Sequence, residues 1–289
     1  MRGLGVAIIL LLLSCAPAHA HRVRCYPDQV QVGPICVDKY EASVWRIPPE
    51  NTTLIRRLRF GRATLDDLLA GGATQVLPII GNVDTCTGNE YGPGFLPTGY
   101  WTEPLYAASI PGVRPANCIT WFQAQQACAL SGKRMLTNNE WQMAGAGTPD
   151  PVEDDMATTC NVRTELLGYA GSRSACVSSW GIYDAIGNVW EFTAEWFDQG
   201  FVCDHWFPEY GGDLICSGQN VGMSANASSA AVGNDIGGAA ELPTVGSHFP
   251  GAIIRGGNFG RGAESGLFAF YSNAWPGNVS KSIGFRCGR

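Results

Sequence analysis

The chain has 289 residues and a formal net charge of -6, with only 15% charged residues but 37 Gly, 17 Pro and 9 Trp. That length can bury a sizeable core in one large domain or two small ones, and the acidic balance excludes a phosphate-tracking nucleic-acid binder. The turn-rich composition argues for irregular loops pinned by aromatics rather than for long amphipathic helices.

Residues 1–20 read as an export signal: Arg2 supplies the charge, Val6 to Leu13 the short apolar run, and Ala18-His19-Ala20 a small-x-small cleavage site. The run is too short to span a bilayer as a stable anchor. Leu12-Leu13-Ser14-Cys15 also resembles a bacterial lipobox, in which Cys15 becomes the lipidated first residue. On either route ten of the eleven cysteines remain, an even number suited to five disulfides in an oxidising compartment. The chain is therefore expected to be secreted or periplasmic. Cleavage after Ala20 is the favoured route, and lipid anchoring through Cys15 the alternative.

In Arg24 to Trp45, two cysteines flank turn residues and an alternating run reads as a strand; Cys25 and Cys36 are close enough to close a hairpin. Arg46 to Asn117 is weakly patterned, an ordered excursion in which Thr64 to Ala70 predicts one short helix stopped by Gly71-Gly72. The group Arg56, Arg57, Arg59 and Arg62 reads as a solvated face. Thr120 with Gln123 makes a capping box, and Trp121, Ala124 and Cys128 share a face, so a helix is expected up to Gly132. Thr137 with Glu140 opens a second helix, and Lys133-Arg134 between them suits the first helix's carbonyl end. This two-helix unit is expected to pack on a sheet.

Loops return over Thr148 to Ser179, with Cys160 and Cys176 as a bridge. Tyr183 to Trp196, YDAIGNVWEFTAEW, packs carboxylates, a Gly-Asn turn and aromatics into a segment too short for an ordinary helix or strand. Asp184 and Glu191 with inward-turned carbonyls form the hard-oxygen set that Ca²⁺ accepts. The plainer reading is a tight turn with an Asx-turn at Asp184, a solvated Glu191, and Trp190 and Trp196 in the core. Cys203 and Cys216 could close a further loop. Ser217 to Ala240 is a Ser/Gly/Ala/Asn-rich insertion. Ile253 to Phe259 and Ser282 to Gly288 predict strands carrying Arg255 and Arg286. No internal repeat or boundary divides residues 21–289.

Taken in order, TWFQAQQACALSGKRMLTNNEW, YDAIGNVWEF, RGGNF and GFRC resemble the formylglycine-generating enzyme (sulfatase-modifying factor) family. The resemblance covers Cys25 to Arg289, with 46–117 and 217–240 matching poorly and reading as insertions. It implies an α+β fold: a single, loop-rich, disulfide-bonded domain related to C-type lectins. It also implies structural calcium, held by the side chains of Asp184 and Glu191 and the carbonyls of Gly187 and Val189. A second calcium site would begin at Asn161 and the carbonyl of Val162. The family pairs the cysteines equivalent to Cys128 and Cys287, a bridge worth about 4 to 5 kcal/mol on loop-closure entropy. The leftover cysteines then suggest Cys86 with Cys118.

One departure concerns the chemistry. The family's copper enzymes carry two cysteines shortly after RGGSW, and soft sulfur is what Cu(I) requires. Here the segment reads RGGNFGRGAESGLF, and the matching positions are Arg261 and Gly266. The resemblance therefore implies an exported family member without a copper centre. His21, His205 and His248 are too scattered for the iron site found in related sulfoxide synthases. G-x-S-x-G, P-loop and HExxH templates are absent. Glu191 and Glu195 at i,i+4 would suit acid-base work were Glu191 not assigned to calcium. Asn258, Arg261 and Glu264 are the candidate cleft floor for an extended peptide or a glycan. A divergent oxidoreductase and a surface-display module are the alternatives.

Overall fold

The disulfide Cys25–Cys36 closes a hairpin of β1 (Gln29–Val32) and β2 (Ile35–Asp38) in a computed structural model that describes residues 24–76, 86, 90–91, 103–150, 154–198, 202–205, 213–217, 250–274 and 276–289. The expected signal at 1–20 with Cys15, the insertion beyond residue 217, His21 and His248 lie outside these residues. After β3 (Ala42–Arg46) come two short helices, α1 (Thr52–Arg59) and α2 (Leu65–Ala70), then β4 (Thr74–Gln75) and β5 (Leu105–Ser109). β3 lies between β4 and β5 in an antiparallel sheet.

Capping chemistry sets the helix starts. The Thr64 hydroxyl accepts from the Asp67 amide at the start of α2, and Asp67 reaches back to the Thr64 amide. The same reciprocal box, Thr120 with Gln123 and Thr137 with Glu140, starts α3 (Trp121–Leu130) and α4 (Asn138–Gly145). Helix α1 was not expected. Its N-cap is Asn51, which accepts from the Leu54 amide and donates to the Gly71 carbonyl. Only Leu54 and Leu58 are buried, an i,i+4 pair masked in the sequence by the surrounding arginines.

The remaining strands are β6 (Arg134–Met135), β7 (Trp190–Asp198), β8 (Val202–His205), β9 (Leu214–Ser217), β10 (Pro250–Arg255), β11 (Phe270–Ala274), β12 (Ile283–Phe285) and β13 (Cys287–Gly288). They build a sheet of order β12-β7-β10-β11-β9-β8 and a second of order β1-β2-β13-β6. The principal core gathers α3, β5, β7, β10 and β12 around Trp190, Phe192, Ile254 and Phe285. The expected two-helix unit does pack on sheet: α3 lies against β5 and α4 against β7.

Disulfides Cys86–Cys118, Cys128–Cys287 and Cys160–Cys176 are also formed. Cys216 is disulfide-bonded, and the β8–β9 register sets Cys203 directly opposite it.

Three expectations need correction. Trp190 to Asp198 is a strand, because residues beyond the turn pair with both β10 and β12, with one register shift against β10 between Phe192 and Trp196. Trp196 is not core but 43% exposed near the end of that strand. Lys133 and Arg134 do not serve the carbonyl end of α3. Lys133 is buried between Asp28 (2.5 Å) and Asp38 (2.7 Å), and Arg134 pairs with Glu140 (2.6 Å). The α3 end is met instead by Arg59, donating to the Leu130 carbonyl, and by Arg289, donating to that of Ser131.

Candidate functional site

Two neighbouring loops hold the residues singled out in the sequence. The first runs from Tyr183 into β7. Asp184, Gly187 and Asn188 all take left-handed backbone angles (φ 56, 77 and 58°), which fold the turn tightly. Asn188 is its hub: the side chain donates to Glu41 Oε2 (2.6 Å) and accepts from Asn161 Nδ2 (3.0 Å) and the Gly168 amide (2.8 Å). Glu41 Oε1 also accepts from the Val189 amide. Glu41 had no role in the sequence reading, although a lone acid in the strand-like run YEASVW was a signal that its partner lies inside the fold.

Asp184 is 2% exposed, and its Oδ2 accepts from the Gly171 amide at 2.6 Å. Glu191 is not solvated. Both of its oxygens accept from Arg286, the closest at 2.7 Å, and Oε2 accepts from Trp141 Nε1 at 2.9 Å. Arg286 also donates to the carbonyls of Asp38 and Tyr183, so its fork ties β2, the turn and β7 together. Glu195, the other half of the i,i+4 pair, accepts from the Asn138 amide at the start of α4.

Three buried carboxylates, Glu41, Asp184 and Glu191, therefore face one buried guanidinium. Burial pushes Asp184 up to about 6, with the Gly171 amide and Arg286 pulling the other way. Burial, with the charges of Asp184 and Glu191, raises Glu41 well above the usual carboxylate range. Burial disfavours the charged forms of Asp184 and Glu41, a cost that a bound divalent cation would offset. Among the described residues no three His, Cys, Asp or Glu side chains converge as a metal site, so a cation here would depend on backbone carbonyls as well, and would share Glu191 with Arg286.

The proposed second calcium residues lie against the same turn. The Asn161 carbonyl accepts from the Asn188 amide (2.7 Å), its side-chain oxygen accepts from the Thr164 hydroxyl, and the Val162 carbonyl accepts from the Gly262 amide (2.8 Å). These contacts join the first loop to the second, which connects β10 to β11.

In that second loop Asn258 acts on the backbone: Oδ1 accepts from the Gly260 amide (2.8 Å), and the carbonyl accepts from the Arg261 amide and the Ser265 hydroxyl. Arg261 precedes and Glu264 ends a 3₁₀ turn (Gly262–Glu264), and the two form a part-exposed ion pair at 3.1 Å. His205 Nε2 lies 3.9 Å from the other Glu264 oxygen. At Gly266 a Cβ would run into the Asp213 carboxylate, so the missing side chain's space is filled by Asp213. Asp213 is fully buried; Oδ2 accepts from the Phe268 amide at 2.7 Å, and burial pushes the group up to about 6. Sequence offered no sign of Asp213, which follows a stretch without periodicity.

Arg255 lies under the loop, donating to the carbonyls of Leu267 and Ala269 and to Asn138 and Gln142. Its guanidinium stacks 4.9 Å over Trp141, the same ring that donates to Glu191. Arg255, Trp141, Glu191 and Arg286 thus form one continuous bridge between the two loops. Cu(I) does not fit the second loop. Arg261 and Gly266 offer no sulfur, and Cys25, Cys36, Cys86, Cys118, Cys128, Cys160, Cys176, Cys216 and Cys287 are all disulfide-bonded.

A sheet-rich, loop-rich α+β domain stapled by disulfides, with an arginine-carboxylate bridge under its candidate cleft, defines the class. The chain belongs to the sulfatase-modifying factor enzyme 1-like domain family, whose description matches residues 101–289. It is 28% identical over 124 residues to a formylglycine-generating enzyme of Thermomonospora curvata, covering 35% of this chain and 41% of that protein. It is 30% identical over 111 residues to a hercynine oxygenase of Mycolicibacterium smegmatis, covering 34% of this chain and 26% of that one. The aligned part thus spans less than half the length of either relative. Among solved structures, the U1 variant of a major tropism determinant matches at TM-score 0.43 and 15% identity, covering 91% of this chain and 52% of that one. PvdO from Pseudomonas aeruginosa matches at TM-score 0.36 and 19% identity, covering 88% and 80%.

Proposed function

We propose that this chain is an exported, calcium-stabilised member of its family that binds an extended peptide or a glycan on the β10–β11 loop and does not carry out copper-dependent formylglycine generation. The observation that supports this reading is the Gly266–Asp213 pair. A buried carboxylate fills the space beside one position where a thiolate would be needed, and Arg261 occupies the other. In place of a redox centre the loop presents Arg261 and Glu264 half-exposed and 3.1 Å apart, with Arg163 and Glu165 exposed beside Gly262 and Gly260. Paired charges of both signs suit hydrogen bonding to peptide backbone or sugar hydroxyls. Structural calcium would be held by Asp184 and Glu191 with the carbonyls of Gly187 and Val189, and copper and iron have no part.

The test supplies purified protein with cuprous ion, oxygen and a peptide carrying Cys-x-Pro-x-Arg. Neither oxygen uptake nor an aldehyde by mass spectrometry is expected, and either one would defeat the reading. Binding is read on peptide and glycan arrays, where Arg261→Ala with Glu264→Ala should erase the signals of the parent protein. The names of the two curated relatives favour a divergent oxidoreductase as the second reading. Iron or copper at unit stoichiometry in protein purified without added metal would establish that alternative.

A further inference from the structure

At the carbonyl end of α1 the local charge runs against the net charge of the whole chain. Arg24, Arg56, Arg59 and Arg62 are exposed there, and Arg289 is half-buried. Tyr26 brings them together: its ring lies edge-on to Phe60 at 5.4 Å, and the Arg289 guanidinium sits 4.4 Å above it. Arg289 also donates to the Arg59 carbonyl. Arg59 and Arg289 spend hydrogen bonds on carbonyls of the α3 end, and among the described residues no acid pairs with either. Among the described residues, no hydrogen bond or ion pair engages the guanidinium of Arg24, Arg56 or Arg62. The nearby acids Asp67 and Asp28 are taken by Arg57 and Lys133, which leaves Asp66, beside Arg62 on a shared cavity wall, as the opposing charge. Phe60, amid the arginines, is 42% exposed.

We propose that this face rests on anionic phospholipid headgroups. Guanidinium groups recognise phosphates through paired donors, and an exposed aromatic among them suits the headgroup boundary. The place where the N-terminal segment joins the domain points the same way. Arg24 is two residues from Tyr26, and His21-Arg22 add further basic groups just before it. On the lipid-anchored route residues 16–23 can span at most roughly 30 Å, so a lipid on Cys15 would hold this face close to the bilayer. A soluble acidic partner would account for the charge but not for the exposed Phe60 or for the site of chain entry.

The test mixes the exported, processed protein with sedimentable vesicles of phosphatidylcholine alone, or with about one third phosphatidylglycerol, and measures the bound fraction. Any lipid on Cys15 contributes to both, so the ratio between the two compositions reads the arginine face. The anionic vesicles should bind more protein, and added salt should reduce the excess. Arg56→Gln with Arg62→Gln alters two exposed side chains without partners, so folding, checked by circular dichroism, should persist. About 1 kcal/mol per basic residue at an anionic surface corresponds to a roughly thirtyfold loss of the excess for the pair. Equal binding to both vesicle types, or an unchanged ratio in the variant, overturns the proposal. So does a preference for soluble poly-glutamate over anionic vesicles, which would assign the face to an acidic protein.

Discussion

Glu191 on β7 and Arg286, between β12 and β13, form an ion pair at 2.7 Å in which each side chain is only 1% exposed. Both charges are out of water, so removing one partner strands the other. Arg286→Met is expected to destabilise the fold by about 3 to 5 kcal/mol, the usual cost of breaking a buried pair. Urea unfolding would measure it, and a loss below about 1 kcal/mol would show that the bridge is dispensable.

Calcium dependence should divide between the two acids of the turn. Added Ca²⁺ is expected to raise the melting temperature of the parent protein, and Asp184→Asn should abolish that rise. Glu191→Gln should lower the melting temperature with or without Ca²⁺, because Arg286 loses its counter-charge and one of the two acceptor oxygens shared with Trp141 becomes a donor. Differential scanning fluorimetry with and without a chelator separates the effects. A rise that survives in Asp184→Asn would remove calcium from this turn.

Asp213 should impose a pH dependence. Its folded pKa of about 6 exceeds the unfolded 3.8, burial being the main cause, with Asp150 adding to it and Arg255 opposing. The folded state therefore holds the proton more tightly, and this group's contribution to stability is complete below the unfolded value and lost as pH rises through about 6. Asp213→Asn keeps an acceptor for the Phe268 amide and cannot ionise. The melting temperature of the variant relative to the parent should climb between pH 4 and 7, since other acids are common to both proteins. A flat difference would remove Asp213 as the source.

Gly266 and Asp213 should couple. Gly266→Ala places a methyl group against the Asp213 carboxylate and is expected to destabilise, whereas the same change in an Asp213→Gly background should cost less. Contacting residues show coupling energies of roughly 0.5 to 3 kcal/mol in double-mutant cycles. Strict additivity would mean that the carboxylate does not fill that space.

Cys128–Cys287 spans 159 positions, and the chain-entropy relation assigns such a loop about 5 kcal/mol. Replacing both cysteines with alanine should lower the urea midpoint by a correspondingly large amount. A small change would mean that packing of β13 between β2 and β6 holds the junction without the bond.

Local chemistry was the part of this fold most readable from sequence. Three helix starts follow from Thr with Asp, Gln or Glu three residues on, because capping needs only neighbouring residues. α1 escaped because its two buried leucines are a minority among arginines and an Asn cap lacks the reciprocal acid. In the candidate site, Asp184, Glu191 and Asn161 could be named from motif, but their partners could not. Glu41 reaches Asn188 across 147 positions, and Asp213 meets Gly266 only because β9 pairs with β11. Neither relation leaves a periodic trace along the chain. The paired arginines Arg255 and Arg286 were legible as strand residues, yet their convergence on Trp141 and Glu191 depends on tertiary packing.

β2 has its far neighbour in β13, with Val37 opposite Gly288, 251 positions later in the chain. At roughly 5 to 20 residues per second of synthesis, the first hairpin waits on the order of 10 to 50 seconds for the strand that completes its sheet. Until then β2 presents an open edge, the kind of surface that invites mispairing. If the Cys25–Cys36 bond forms first, it holds that hairpin in shape through the delay, so early oxidation would be a folding aid as well as a later source of stability.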